Sequence, residues 1–157
     1  MSNFIELDDL DRRILRALQR DAAISNAELA ERVGSTGPSC WRRIRQLEQA
    51  GVLAETVRLA NAEALGQSVN VYCHVRMKSH EEGNTAAFAE WVGNEDRITE
   101  CHTMSGDWDF LLRIVATNVA DYEQFLMGSL LKHPAVGGAS SQFALRRVKY
   151  QTALPVR

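Results

Sequence analysis

Two aspartates separated by a single tryptophan, Asp107 and Asp109, are the first residues whose types and spacing could do chemistry. Paired acids exchange protons or bind a cation. The same residues also suit a tight turn, because Asp hydrogen-bonds its own backbone and Gly106 accepts a positive φ. Exposed amides around Gly106 could receive a carboxylate, and either aspartate could meet an ammonium group. The residues alone leave the turn role and the ligand role open.

Histidine and cysteine give no second candidate. His74 and His102 lie in runs with strand character, and no third ligand stands at metal-binding spacing. The three cysteines, Cys40, Cys73 and Cys101, form no CxxC pair and occupy positions typical of a core. A Ser/His/Asp spacing and a glycine-rich phosphate loop are also absent from the sequence. The sequence therefore predicts reduced thiols, no metal and no cofactor.

Contact with nucleic acid is indicated by the basic stretch 36–49. It carries three arginines, at positions 42, 43 and 45, and one acid, Glu48. A net charge of −2 argues against nucleic-acid binding over the whole surface, but phosphate binding needs only a local basic patch. A helical wheel turns Arg42 and Arg45 away from the apolar face. Arg43 falls near the edge of that face, where Glu48 or a phosphate is the expected partner.

Three short helices would position these arginines. Apolar spacing predicts the first over 11–20, and Ser25 with Glu28 forms a capping box at the start of the second. Thr36 is the expected N-cap of the third, which runs to about residue 50. Two short helices separated by a turn of about four residues, the second one basic, form a helix-turn-helix pattern. Residues 52–59 alternate like a short wing or a linking strand.

The rest of the chain predicts a ferredoxin-like sheet. The expected elements are strands over 69–78, 98–104, 110–116 and 140–151, with helices over 85–92 and 121–131. The order β-α-β-β-α-β places both helices on one face of an antiparallel sheet. The predicted class is therefore α+β, with a winged helix-turn-helix domain at 1–60, a linker at 61–67 and a sheet domain with a C-terminal tail at 68–157.

The strand at 110–116 is apolar on both sides, although a sheet with helices on one face should alternate with polar residues. The second face is therefore expected to be buried against another copy of the chain, since two-fold pairing is the commonest assembly. Either Leu111 or Leu112 would lie in that seam. The sequence predicts at least a homodimer.

Three stretches resemble the Lrp/AsnC family of bacterial and archaeal regulators. They are SNAELAERVGSTGPSCWRRIRQLEQAGVL, ECHTMSGDWDFLLR and SSQFALRRVKYQTALP. Two departures from the family pattern are the order Gly37-Pro38-Ser39 before Cys40-Trp41, and Gln151 in the tail. The resemblance implies a cytoplasmic regulator that binds duplex DNA and controls genes of amino-acid metabolism or transport. It also implies dimers that assemble into tetramers or octamers, without specifying an operator or an effector.

The resemblance carries over two sets of residues, position by position. The DNA-reading set is Thr36, Pro38, Ser39, Trp41, Arg42, Arg43 and Arg45. The effector set, for a free amino acid or a similar metabolite between subunits, is Thr103, Met104, Ser105, Gly106, Asp107, Trp108, Asp109, Leu131, Gln142 and Phe143.

Composition fits a folded chain, with 45% hydrophobic residues, no apolar run that would span a membrane, and an acidic start without an export signal.

Two other functions remain in view. Dimeric ferredoxin-like domains also occur as small monooxygenases, and the chain could be an amino-acid-binding module without DNA binding. The helix-turn-helix pattern argues against the first, and Arg42 and Arg45 argue against the second.

Overall fold

The computed structural model describes residues 6–157, and at Glu82 it describes the backbone only. This range contains five α-helices, one 3-10 turn and four strands. Along the chain these are α1 (Asp9–Leu18), α2 (Asn26–Val33), α3 (Gly37–Gln49), β1 (Val69–Met77), α4 (Glu82–Gly93), β2 (Ile98–Thr103), β3 (Phe110–Ala116), α5 (Val119–Gly128), the 3-10 turn (Leu130–Lys132) and β4 (Val136–Phe143). The predicted α+β class is confirmed. The prediction about an export signal rests partly on residues 1–5, which lie outside the described residues.

Contacts divide the chain into two units. The helical unit comprises the residues up to Arg58 together with Val148–Arg157, and the sheet unit is Leu59–Arg147. The predicted division placed residues 148–157 with the sheet, whereas the structure groups them with the helices. The reason is that both the amide and the carbonyl of Leu154 hydrogen-bond with the side chain of Gln19, the C-cap residue of α1.

The helical unit is built around one apolar residue cluster. Ile14, Leu29 and Cys40, one from each helix, are almost completely buried in it. The predicted capping box of Ser25 is present at the start of α2, and Gly34 ends that helix with a φ of +67°. Burying the apolar stripe of each helix supplies most of the stability of such short helices, which are marginal alone. The core therefore fixes which face of α3 remains outside.

The sheet unit is an antiparallel sheet with strand order β2-β3-β1-β4. Phe88 of α4 and Tyr122 of α5 pack in one buried cluster with Cys73 of β1 and Leu112 and Ile114 of β3. Both helices therefore cover the same face of the sheet. This arrangement matches the predicted ferredoxin-like unit and leaves the opposite face, here called the outer face, without helices.

The outer face is more polar than predicted. On β3 it presents Leu111 and Val115 on either side of Arg113, all three partly buried. One guanidinium nitrogen of Arg113 lies 2.6 Å from Glu100, and another lies 3.3 Å from Asn70. The hydrogen bonds from Arg113 lower the pKa of Glu100. The outer face therefore combines apolar side chains with a three-residue polar ladder across β2, β3 and β1.

Three details differ from the predictions. Cys101, expected in the core, is exposed because β2 is an edge strand. Residues 54–60 lie in no β-ladder of the described chain, so the predicted wing does not form there. The last strand ends at Phe143 instead of continuing to 151, because its partner β1 has only Asn70 and Val69 left beyond the Val71–Phe143 pair.

Candidate DNA interface and ligand-binding turn

The first turn of α3 is set by its cap. Thr36 has extended backbone, and its hydroxyl oxygen accepts a hydrogen bond from the Ser39 amide at 3.4 Å. Pro38 is exposed in this turn, where its missing amide hydrogen removes no helical hydrogen bond. The first three members of the DNA-reading set therefore form one capped helix start. The Thr36 hydroxyl is already engaged in that cap.

Arg42 and Arg45 are exposed on the outward side of α3, as predicted, and Trp41 is exposed beside them. Trp41 is 56% exposed, and the guanidinium carbon of Arg45 lies 5.9 Å from the centre of its ring. Arg45 also forms an exposed ion pair with Glu48 at 3.2 Å. Such surface pairs contribute at most about 1 kcal/mol, so Arg45 is readily recruited by a stronger anion. Among the described residues no ion pair or hydrogen bond holds Arg42.

The Arg43 side chain is directed toward α1 instead of the outward face of α3. The prediction that Glu48 or a phosphate would be its partner was wrong about Glu48. Its Nη1 atom lies 2.7 Å from Asp8 and 3.2 Å from Asp11, and Asp11 is only 7% exposed. The Asp11 amide, together with the Arg43 guanidinium, lowers the pKa of Asp8. Glu48 pairs with Arg45 instead. Arg43 therefore joins α3 to α1, and its charge is neutralised inside the helical unit.

The predicted hairpin between β2 and β3 is present. Gly106 has a φ of +119°, a conformation that L side chains rarely adopt, and the Met104 amide donates to the Asp109 carbonyl at 2.9 Å. Residues 103–107 are all exposed. The structure therefore explains the glycine by backbone conformation alone, because a Cβ atom at position 106 would meet no heavy atom within 4 Å.

Asp109 is a structural acid in this turn. Its carboxylate accepts a hydrogen bond from the Met77 amide at 2.7 Å, and its own amide donates to the Val75 carbonyl at 2.9 Å. The other carboxylate oxygen lies 3.5 Å from Nδ1 of His80. Asp109 thus joins the hairpin to β1, with one carboxylate oxygen engaged by the Met77 amide. Of the two acids, Asp107 is the one that remains exposed.

Two neighbours of the turn were not predicted from the sequence. The guanidinium carbon of Arg76 lies 4.7 Å from the centre of the Trp108 ring, and its Nε atom donates to the Asp107 carbonyl at 3.2 Å. The His74 ring centre is 5.8 Å from that of Trp108. Alternation placed Arg76 and His74 on the same side of β1. Their approach to Trp108 depends on the pairing of β1 with β3, which periodicity does not give.

The remaining effector candidates lie away from the turn within one chain. Gln142 and Phe143 pair with Tyr72 and Val71, which lie four and five residues along β1 from Arg76, or roughly 13 and 17 Å away. Phe143 packs edge-on against the buried ring of Tyr122, at 5.4 Å. Leu131, in the 3-10 turn, is 38% exposed. A single copy of the chain therefore does not bring the whole effector set together.

Other chemistry finds little support in the part of the chain that the structure describes. No group of three or more His, Cys, Asp or Glu side chains there could hold a metal ion. Burial raises the pKa of the Cys73 thiol. Partial desolvation by neighbouring atoms raises the pKa of the Cys101 thiol as well, although that residue is exposed, so the reactive thiolate is disfavoured at both. No helix among the described residues is long and apolar enough to span a membrane.

A capped helix-turn-helix unit with an exposed basic helix, followed by a sheet unit with an exposed glycine turn, defines a class of two-domain DNA-binding proteins. Family models match both parts. The AsnC-type helix-turn-helix domain matches residues 7–48, and the Lrp/AsnC ligand binding domain matches residues 70–154. The chain therefore belongs to the Lrp/AsnC family. It is a DNA-binding transcriptional regulator and not an enzyme.

Individual relatives agree with this assignment. The leucine-responsive regulatory protein of Rhizobium meliloti (strain 1021) is 41% identical over 145 residues, covering 92% of this chain and 93% of the relative. An AsnC family regulator from Agrobacterium tumefaciens superposes with a TM-score of 0.90 at 38% identity, covering 95% of this chain and 97% of that chain. A Neisseria meningitidis transcriptional regulator, solved in complex with L-Met, gives a TM-score of 0.92 at 31% identity, covering 96% and 97%.

Proposed function

We propose that this regulator reads duplex DNA through the outward face of α3, with Arg42 and Arg45 as the principal base-contacting side chains. The observation that carries the proposal is the division of the three arginines. Arg43 is neutralised by Asp8 and Asp11, whereas Arg42 and Arg45 are exposed beside Trp41. Bidentate contact with guanine is the commonest specific role of such arginines. Trp41 is proposed to modify the sequence preference.

The DNA-binding proposal is tested by fluorescence anisotropy with a duplex from the upstream region of the regulator's own gene. Arg42→Ala and Arg45→Ala should each weaken specific binding by roughly 1–3 kcal/mol and relax base preference at one position. Lys132→Ala, which removes an exposed cation in the sheet unit, is the charge-matched control. Equal losses on all sequences, with a salt slope lower by about one, would instead mean phosphate contact only.

We infer that the effector is a free amino acid bound at the 103–109 turn. The exposed amides around Gly106 and the exposed carboxylate of Asp107 suit the two charged groups of an amino acid. The Neisseria regulator in complex with L-Met has a fold closely similar to this chain. Leu131, Gln142 and Phe143 would complete the site from another copy, since the β1 partners of Gln142 and Phe143 lie four and five residues, roughly 13–17 Å, from Arg76 within one copy. The ligand would act by binding two assembly states with different affinity.

The effector is identified by a thermal-shift panel of the twenty amino acids with the full-length protein. One or a few should raise the melting temperature, and Asp107→Asn should abolish that rise. Glu123→Gln, an exposed acid on α5, is the matched control. If no amino acid shifts the melting temperature and Gly106→Ala leaves a reporter gene unchanged, the turn is structural only.

We propose a homodimer formed through the outer face, with dimers assembling into tetramers or octamers. Support comes from Leu111, Val115 and Tyr72, which remain partly exposed in one copy, and from Nε of Arg113, a buried donor without a partner among the described residues. A buried unpaired donor costs about 1–3 kcal/mol, and a second copy could supply its acceptor. In the proposed division of roles, residues 1–60 bind DNA, residues 61–67 form a linker, and the residues after the linker bind the ligand. The regulator is proposed to act in the cytoplasm and to control genes of amino-acid metabolism or transport.

Light scattering of the full-length protein at micromolar concentration tests the assembly. A dimer or a multiple of it is expected, and a monomer would contradict the proposal.

A further inference from the structure

The tail of the chain is docked on the first helix of the helical unit. Residues 153–157 have no regular secondary structure, yet side chains of α1 recognise their main chain. Four hydrogen bonds of 2.6 to 3.1 Å do so: Arg12 Nε to the Arg157 carbonyl, Arg16 Nη2 to the Val156 carbonyl, Gln19 Nε2 to the Leu154 carbonyl, and the Leu154 amide to Gln19 Oε1. The tail is therefore held at three successive points.

The spacing of these contacts fits two regular elements side by side. Arg12 and Arg16 of α1 and Gln19, the C-cap residue of that helix, stand at i, i+4 and i+7. They therefore lie on one side of α1 and span about 10 Å along it. Their partners, from Arg157 back to Leu154, span about 10 Å if extended. The tail consequently runs antiparallel to α1 with matching length. Equal lengths of the helix face and of the tail are expected when the tail binds the helix specifically, and not when it contacts the helix at random.

Side chains of the tail support the same docking. Val156 packs against the buried cluster of the helical unit, whereas Leu154 is 75% exposed. Pro155 between them lacks an amide hydrogen, fixes its own φ and favours extended backbone at Leu154. Less conformational entropy is then lost when the tail docks. The tail is thus recognised through its main chain and one apolar side chain.

α1 is also the helix that holds α3. Asp8, the N-cap residue of α1, and Asp11 within α1 carry the ion pairs to Arg43. We propose that residues 153–157 are a C-terminal clamp, docked on α1 of the same chain, that keeps α1 and hence α3 in the arrangement that binds DNA. This proposal rests on the proposed DNA-binding function. It assigns to α1 a surface that binds a peptide segment, and the segment bound there is residues 153–157 of the same chain.

The test compares Val156→Asp with Val148→Asp in the full-length protein. Both variants place the same charge in the tail, but Val148 is 83% exposed and lies outside the docked segment. The first readout is amide hydrogen exchange without DNA. The Leu154 amide should be protected in the parent protein and in Val148→Asp, and should lose protection in Val156→Asp. Rapid exchange of this amide in the parent protein would overturn the docking itself.

The second readout is affinity for an operator duplex, with oligomeric state monitored in parallel. If undocking leaves about a tenth of the molecules competent, the apparent Kd of Val156→Asp rises roughly tenfold, whereas that of Val148→Asp stays near the parent value. Loss of Leu154 amide protection in Val156→Asp alone, combined with equal operator affinity of both variants, would overturn the coupling to α3. Protection retained in Val156→Asp would overturn the role of Val156 in docking. Failure of the parent protein to bind any duplex would instead contradict the proposed DNA reading, so the two failures are distinguishable.

Discussion

α3 and the 103–109 turn are both candidate binding sites, but they differ in how they are built. Every DNA-reading candidate lies within a single capped helix, whose inner face is fixed by the core. The effector candidates are spread over a hairpin, a 3-10 turn and the end of β4. The DNA-reading candidates therefore lie together in one copy of the chain. The effector site is proposed to become complete only when another copy contributes.

The difference extends to the acids and bases around each site. Near α3 the ion pairs sort three arginines into one structural and two exposed residues. Near the turn, the Asp109 carboxylate accepts a hydrogen bond from the Met77 amide. The Arg76 guanidinium lies against the Trp108 ring and donates to the Asp107 carbonyl. Residues that sit together in a sequence therefore separate into supporting and contacting roles only once their neighbours from other elements are known.

The strongest test of the comparison uses the two faces of β3. Leu112 is fully buried under the helices, so Leu112→Glu should unfold the sheet unit, at a cost of about 4 kcal/mol or more. Leu111 lies on the outer face, so Leu111→Glu should keep the fold but break assembly and the effector response. Circular dichroism melting and light scattering separate the two results. Leu111→Glu remaining an oligomer would place the seam elsewhere.

A second test contrasts Arg43 with Arg45. Arg43→Met leaves the nearly buried Asp11 carboxylate without its cationic partner and should destabilise the protein by about 1–3 kcal/mol. Arg45→Met removes an exposed pair and should change stability by less than about 1 kcal/mol while weakening DNA binding. Urea denaturation and anisotropy measure both quantities. Equal stability of the two variants would contradict the assigned roles.

A third test addresses the turn through its glycine. Gly106→Ala should cost about 1–3 kcal/mol, because alanine is strained at a φ of +119° although there is space for its methyl group. Gly93→Ala is the matched control, since Gly93 ends α4 without a positive φ and also has free space. The control should be neutral or slightly stabilising. Equal melting temperatures for both variants would show that the turn tolerates a side chain.

The smallest expected effect is a pH dependence in the sheet unit. The Thr117 amide, with help from Arg97, lowers the pKa of Asp121 from its ordinary value of 3.8. Because the folded-state pKa is the lower one, this stabilisation is present above about pH 4 and is lost as the pH falls through the folded-state value. Asp121→Asn should therefore be less stable than the parent protein at pH 7, with the gap closing in acid. A gap independent of pH would contradict this assignment.

Much of the molecule could be predicted from the sequence because local patterns carry the information. The caps at Ser25 and Thr36, the outward face of α3 and the glycine turn each depend on residues close together in the chain. Helical and strand periodicity likewise gave the α+β class. In such cases the physical cause lies within a short segment of the chain. It is either a hydrogen bond between residues about three positions apart or an apolar repeat of about 3.6 residues in a helix and 2 in a strand.

Only the tertiary structure decided the rest. Local patterns left Arg43 available for a phosphate, whereas the structure places Asp8 and Asp11 beside it. They likewise gave no sign that Asp109 accepts a hydrogen bond from the Met77 amide. The tail from 148 onward resembled an appendage of the sheet but belongs with α1. Each of these contacts joins residues more than thirty positions apart, and hydrogen bonding at that separation follows from packing, which no local pattern encodes.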